Sequence, residues 1–204
     1  MDDKEYLKQI SASVRPEKKP KTSFMSSTLF KVGMGGIVAF IAIMIISSII
    51  SGAKGDVKTQ SIALKLHLDD TAAVISVYQK SVKSSGLRSS SASLYSVLSN
   101  TSREVGDYLT DKYSYKAGSE NKNLKDAAAL HKDGLETDLF EAKINGILDR
   151  IYTHKMAYEI SLIMTEESSI YNASGNETLR GILETSYNSL DKLYEEFNNF
   201  SETK

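Results

Sequence analysis

The stretch VKTQSIALKLHLDDTAAVISVYQKSVK, residues 57–83, decides the fold. Leu64, Leu68, Thr71, Ile75, Tyr78 and Val82 follow one another at alternating steps of four and three, which winds them into one face of an α-helix. Beyond it, Ser84 to Ser91 is rich in serine and contains Gly86, so the pattern breaks there, with Ser90 or Ser91 as the expected N-cap of the next helix. Leu94, Leu98, Thr101, Val105 and Tyr108 then rebuild the same spacing up to about Tyr113.

A polar loop, Ala117 to Lys122, separates these two helices from a third apolar series: Leu124, Ala128, Leu135, Leu139, Ala142, Ile147, Ile151, Tyr158 and Leu162. Asp133-Gly-Leu-Glu136 interrupts that series with a capping-box pattern, which predicts a short helix to about Lys132 and a long one from about Leu135 to Tyr171, with one kinked continuous helix as the alternative. Ser174-Gly-Asn-Glu177 reads as a second capping box, after which Leu179, Ile182, Leu183, Leu190, Leu193, Phe197 and Phe200 mark the last helix. No alternating strand pattern occurs. Both prolines, Pro16 and Pro20, lie at the N-terminal end, which leaves the rest free for long helices. Four amphipathic helices joined by short polar loops predict an all-α antiparallel four-helix bundle over residues 55–204. Its core should include Leu64, Leu68, Ile75, Leu98, Val105, Leu139, Ile147, Ile151, Leu162, Leu190, Leu193 and Phe197.

Toward the N-terminus the chain changes character. Between Lys31 and Lys54 no residue is charged, and VGMGGIVAFIAIMIISSII, residues 32–50, is apolar or small throughout. Nineteen residues rise about 28 Å as a helix, close to the hydrocarbon thickness of a bilayer. Residues 31–53 therefore read as one transmembrane helix, with Val32, Gly36, Phe40, Met44 and Ile50 inside the membrane. Seven Lys/Arg precede or begin the run, while only Lys54, Lys58 and Lys65 follow closely, which keeps the N-terminus in the cytoplasm and the bundle outside. The run exceeds the h-region of a signal peptide, so it reads as an uncleaved signal anchor; cleavage after Ala53 would make the bundle a secreted protein. Gly35, Ala39 and Ala42 share one face through which two anchors could pair into a homo-oligomer. Residues 1–30 form a basic, Pro-interrupted tail that should be mostly disordered against the inner leaflet.

Composition narrows the chemistry. The chain lacks cysteine, which removes disulfides, thiolate nucleophiles and cysteine metal sites. Lys and Arg number 25 against 26 Asp and Glu, with the acidic excess after residue 55, so a nucleic-acid partner is not expected. The histidines are His67, His131 and His154, and the residues three before them are Leu64, Ala128 and Ile151. The Glu-x-x-His pairs of a di-iron bundle are absent. His67-Leu-Asp-Asp70 and His154 with Glu159 are the local His/acid groupings, neither at metal-ligand spacing, and all three histidines read as solvated helix-surface residues. No Gly-x-Ser-x-Gly occurs, and Gly33-Met-Gly-Gly36 lies within the apolar run, so no catalytic, cofactor or metal residues are assigned. The Asn-x-Ser/Thr sequons at Asn100, Asn172, Asn176 and Asn199 would be glycan acceptors only in a eukaryotic secretory context.

Ten of the eleven tyrosines follow the apolar run, most at helical spacing from Leu or Ile, where they suit the boundary of a core. Tyr113 and Tyr115, in the loop Lys112-Tyr-Ser-Tyr-Lys-Ala-Gly118, fit that place least and are the expected exposed partner contact.

Within residues 174–197, Ser-Gly-Asn-Glu-Thr-Leu-Arg-Gly-Ile-Leu-Glu-Thr-Ser-Tyr-Asn-Ser-Leu resembles the final loop and helix of ferritin-like, four-helix bacterial envelope proteins. The resemblance covers about a tenth of the chain and implies a four-helix bundle without adding a functional motif. The histidine of such families on the preceding helix has no counterpart at matching distance from Leu179. By elimination the chain reads as a membrane-anchored interaction or scaffolding protein of the cell envelope, bound to the lipid bilayer and an envelope protein. A ligand-sensing accessory subunit of a membrane complex is the alternative.

Overall fold

The computed structural model describes residues 56–200, and within them all regular structure is helical, with no strand. Five α-helices occur: α1 Val57–Tyr78, α2 Ser85–Tyr113, α3 Lys122–Ile144, α4 Leu148–Ala173 and α5 Glu177–Asn198. A 3-10 turn, Gln79–Ser81, ends α1. Helices α1, α2, α5 and α4 close a four-helix ring, and α3 lies outside it across the groove between α1 and α4.

The direction of each helix follows from its cross-links. Lys58 lies over the Tyr113 ring and Lys65 donates to Ser102 at 3.1 Å, so α1 and α2 are antiparallel. Ser90 donates to Glu196 and Thr101 to Ser186, which sets α2 against α5 in the same way. His67 meets Glu166, while Lys83, just past α1, reaches Asp149, so α1 and α4 also oppose each other. By contrast Asp70 pairs with Lys132 and the Tyr78 hydroxyl donates to the Glu136 carbonyl, so α3 runs parallel to α1.

The face expected from residues 57–83 is buried at every position, and so is the face from Leu94 to Tyr108. Of the expected core, Leu64, Leu68, Ile75, Leu98, Val105, Leu139, Leu190, Leu193 and Phe197 are buried. Ile151 and Leu162 are only half-buried, and Ile147 is 38% exposed. Helix α4 is turned by about one residue from the expected phase: its buried stripe runs Leu148, Tyr152, Met156, Glu159, Ile163, Glu167 and Ile170. Two carboxylates interrupt that stripe, which is why its apolar residues alone do not reveal it.

The helix count and the breaks also differ from expectation. No break occurs at Asp133–Glu136; Gly134 lies inside α3 with open space around it. The chain reverses instead at Asn145-Gly146-Ile147. Gly146 takes φ +72°, the left-handed region that glycine enters without a Cβ clash. The Ile147 amide bonds the Ala142 carbonyl at 3.0 Å and the Gly146 amide the Lys143 carbonyl at 3.2 Å, a Schellman closure of α3. Helix α2 begins earlier than expected, with Ser84 as its N-cap; Ser91 lies inside it and donates to the Leu87 carbonyl. At the start of α5 the cap is Asn176, accepting from the Leu179 amide at 3.0 Å, while Ser174 accepts from the Asn176 amide. The tight α1–α2 turn is held from outside, for the Asp149 carboxylate accepts from the backbone amides of Lys83 and Ser84 at 2.9 and 2.8 Å.

The expected cytoplasmic tail 1–30, the transmembrane helix 31–53 and the Gly35, Ala39, Ala42 face lie outside the described residues. Among the described residues no helix is long and apolar enough to cross a membrane.

Candidate functional site

Three helices bring polar side chains together beneath α3. The buried stripe of α3 runs Leu124, His131, Leu135, Leu139 and Ala142, so His131 occupies a slot that the spacing would give to an apolar residue. On α1, His67 lies one heptad from Gln60 and one from Val74, all three buried. On α4, Glu159 occupies the stripe itself, and Glu166 lies two turns further along.

His67 Nε2 lies 2.9 Å from Glu159 Oε2, and His131 Nε2 lies 2.8 Å from the same oxygen. His67 Nδ1 faces the Glu166 carboxylate at 3.1 and 3.2 Å. The imidazole rings stand edge to face, their centroids 5.0 Å apart. Side-chain exposure is 6% for each histidine, 3% for Glu159 and 11% for Glu166. Because both nitrogens of His67 face carboxylates, both carry protons in this arrangement. Burial by itself would pull the His67 pKa down, but Glu166 and Glu159 outweigh it and hold the ring protonated well above the usual histidine range. Glu159 is the counterpart. Burial would raise it, yet the hydrogen bonds from His131 and His67 keep it below the usual carboxylate range. His131 Nδ1 is buried without a hydrogen-bond partner.

A cavity of about 20 Å³ borders the cluster, with His67, His131, Glu166 and Asp70 in its wall beside apolar residues of α1 and α3. That is room for about one water molecule. The coordinating atoms of His67, His131 and Glu159 lie within 4.8 Å of one another, a geometry able to hold one metal ion. Comparison of the chain with protein-family models, curated proteins and solved structures gave no match. The site is thus read from its own residues.

Two expectations are corrected here. His67 and His131 are not solvated surface residues, because His131 lies on the inner face of α3 and the packing of that face onto α1 and α4 buries both; only His154 is exposed, and Glu159 pairs with the two buried histidines across helices. Nor do the acids beside His67 join it: Asp69 bonds Lys65 and Ser102, and Asp70 pairs with Lys132.

The Tyr113–Tyr115 loop is corrected as well. Ser114 takes the left-handed conformation, φ 53°, and turns Tyr115 back onto the bundle, where its ring is 8% exposed. The Tyr115 hydroxyl donates to Glu120, which also accepts from the Gly118 amide and pairs with Lys125. Tyr113 is half-buried, edge-on to Tyr108 with Lys58 over its ring. Tyr115 is therefore a structural tie between the α2 end and the loop, and not an exposed contact.

Proposed function

We propose that this chain is a single-pass membrane protein, with its N-terminus in the cytoplasm and its helical domain outside, where it acts as an interaction or scaffolding module of the cell envelope and not as an enzyme. The observation that carries the reading is the uncharged run between Lys31 and Lys54, with seven Lys/Arg at or before its start, followed by a domain with its own core. Pairing of anchors through Gly35, Ala39 and Ala42 would supply a homo-oligomer. With Tyr115 tucked inward, Tyr113 is the tyrosine of that loop left partly accessible to a partner.

A specific observation favours the second reading, a ligand-sensing accessory subunit. Helix α3 is docked onto the four-helix ring through a buried polar cluster, and what binds that cluster would alter how α3 sits on α1 and α4.

Protease added to intact cells tests the topology: the helical domain should be digested while an N-terminal tag stays protected. A mature N-terminus at Lys54 would show release after Ala53 and overturn the anchor. For the partner, crosslinking before detergent extraction should recover another envelope protein with the full chain; recovery of none would overturn the interaction reading.

A further inference from the structure

We propose that His67, His131 and Glu159 form a mononuclear site for a divalent first-row transition-metal cation, with Glu166 as the outer carboxylate that orients His67. This inference is independent of where the domain resides.

The donor set comes first. Two imidazoles and one carboxylate suit Zn²⁺ or Fe²⁺, and three protein ligands leave a coordination position open for water. All three ligands are buried and come from different helices, so each is held by the packing of its own element. Both histidines present Nε2 to one carboxylate oxygen, at 2.9 and 2.8 Å. A tetrahedral ion with bonds of about 2.0–2.1 Å holds its ligand atoms roughly 3.3 Å apart. Occupation thus asks each histidine to draw back from the carboxylate oxygen by about half an ångström and the two imidazole nitrogens, which with that oxygen lie within 4.8 Å of one another, to take up the same spacing. The ion takes the place of the protons that now link the three side chains.

Two further observations point to a ligand. A metal-bound histidine usually gives its other ring N–H to a carboxylate, carbonyl or water; His67 already does so, with Nδ1 on Glu166. His131 Nδ1, the nitrogen that would not ligate, is buried with no protein partner, a polar atom left for a bound water to satisfy. The adjoining cavity, about 20 Å³, has room for the one water that would complete such a site. The site is unlike a dinuclear carboxylate bundle, since its donor atoms converge on one point and no Glu-x-x-His contributes.

Zinc itself is the probe. The full chain, purified in mild detergent and stripped with a chelator, should take up one Zn²⁺ in competition with a chromophoric chelator and unfold at a higher temperature when loaded. His131→Gln and Glu159→Gln should each weaken zinc by about 100-fold or more, Glu166→Gln by about 10–100-fold, and His154→Gln, at the exposed histidine, not at all. X-ray absorption of the zinc-loaded wild type should show two imidazoles at about 2.0–2.1 Å, a reading that survives even if a variant fails to fold. Failure of the wild type to compete for zinc, fewer than two imidazoles on it, or unchanged affinity in both His131→Gln and Glu159→Gln would overturn the site and leave the cluster as buried ion pairs. None of these outcomes bears on the topology of the anchor.

Discussion

Glu167 shows what a single side chain can cost this core. It is 1% exposed, and neither carboxylate oxygen has a hydrogen-bond partner. Burial pushes its carboxyl up to about 8, with the Ser186 hydroxyl pulling the other way and Glu166 adding to the rise. The folded chain therefore keeps a proton that the unfolded chain releases near pH 4.5. Folded-state binding then exceeds unfolded-state binding between about pH 4.5 and 8, so this residue's contribution is present at low pH and is lost as pH rises through 8. The slope is at most about 1.4 kcal/mol per pH unit. Glu167→Gln has no such proton to lose. Its stability relative to wild type, from chemical denaturation, should grow steadily between pH 5 and 8; a difference that stays flat would show that Glu167 is charged in the fold.

Helix boundaries were legible where one local interaction sets them and illegible where a distant residue does. The spacing of Leu94 to Tyr108 was enough to place the body of α2, but its start depends on Ser84, in a turn held by Asp149 from α4 some 65 residues away. No local pattern in residues 82–91 announces that carboxylate. Asp149→Ala should lower stability by about 1.5–3 kcal/mol, since two turn amides lose a charged acceptor, while Asp149→Asn, which keeps one acceptor oxygen, should lose less. Equal losses in the two variants would mean that the turn amides do not depend on the charge. The α3–α4 break was a different kind of miss: Asn145-Gly146 carries its own turn chemistry, outweighed in the reading by Asp133-Gly-Leu-Glu136, whose glycine a helix tolerates on an open face.

At the scale of the whole molecule, apolar spacing sufficed for the faces of α1, α2 and α5 and failed for α4. Glu159 and Glu167 occupy places where carboxylates are read as surface, and with both discounted Ile151 and Leu162 looked like the inward residues. The same blind spot hid the candidate site, because its partners are 28 to 99 residues apart and become neighbours only when α3 is laid over the ring. Truncation distinguishes the two phases. Leu190→Ala, at a fully buried position, should cost about 2–5 kcal/mol, whereas Ile151→Ala, half-buried, should cost clearly less; comparable losses would return α4 to the phase inferred from its apolar residues. The fifth helix also changes the parity of the fold. An even number of up-and-down passes brings a chain back to the end at which it entered, but five passes leave Asp56 and Phe200 at opposite poles. The 22 residues of α5 alone rise about 33 Å. Tension between the two ends would then pull along the helices, loading their side-by-side contacts in shear instead of peeling one helix from the next.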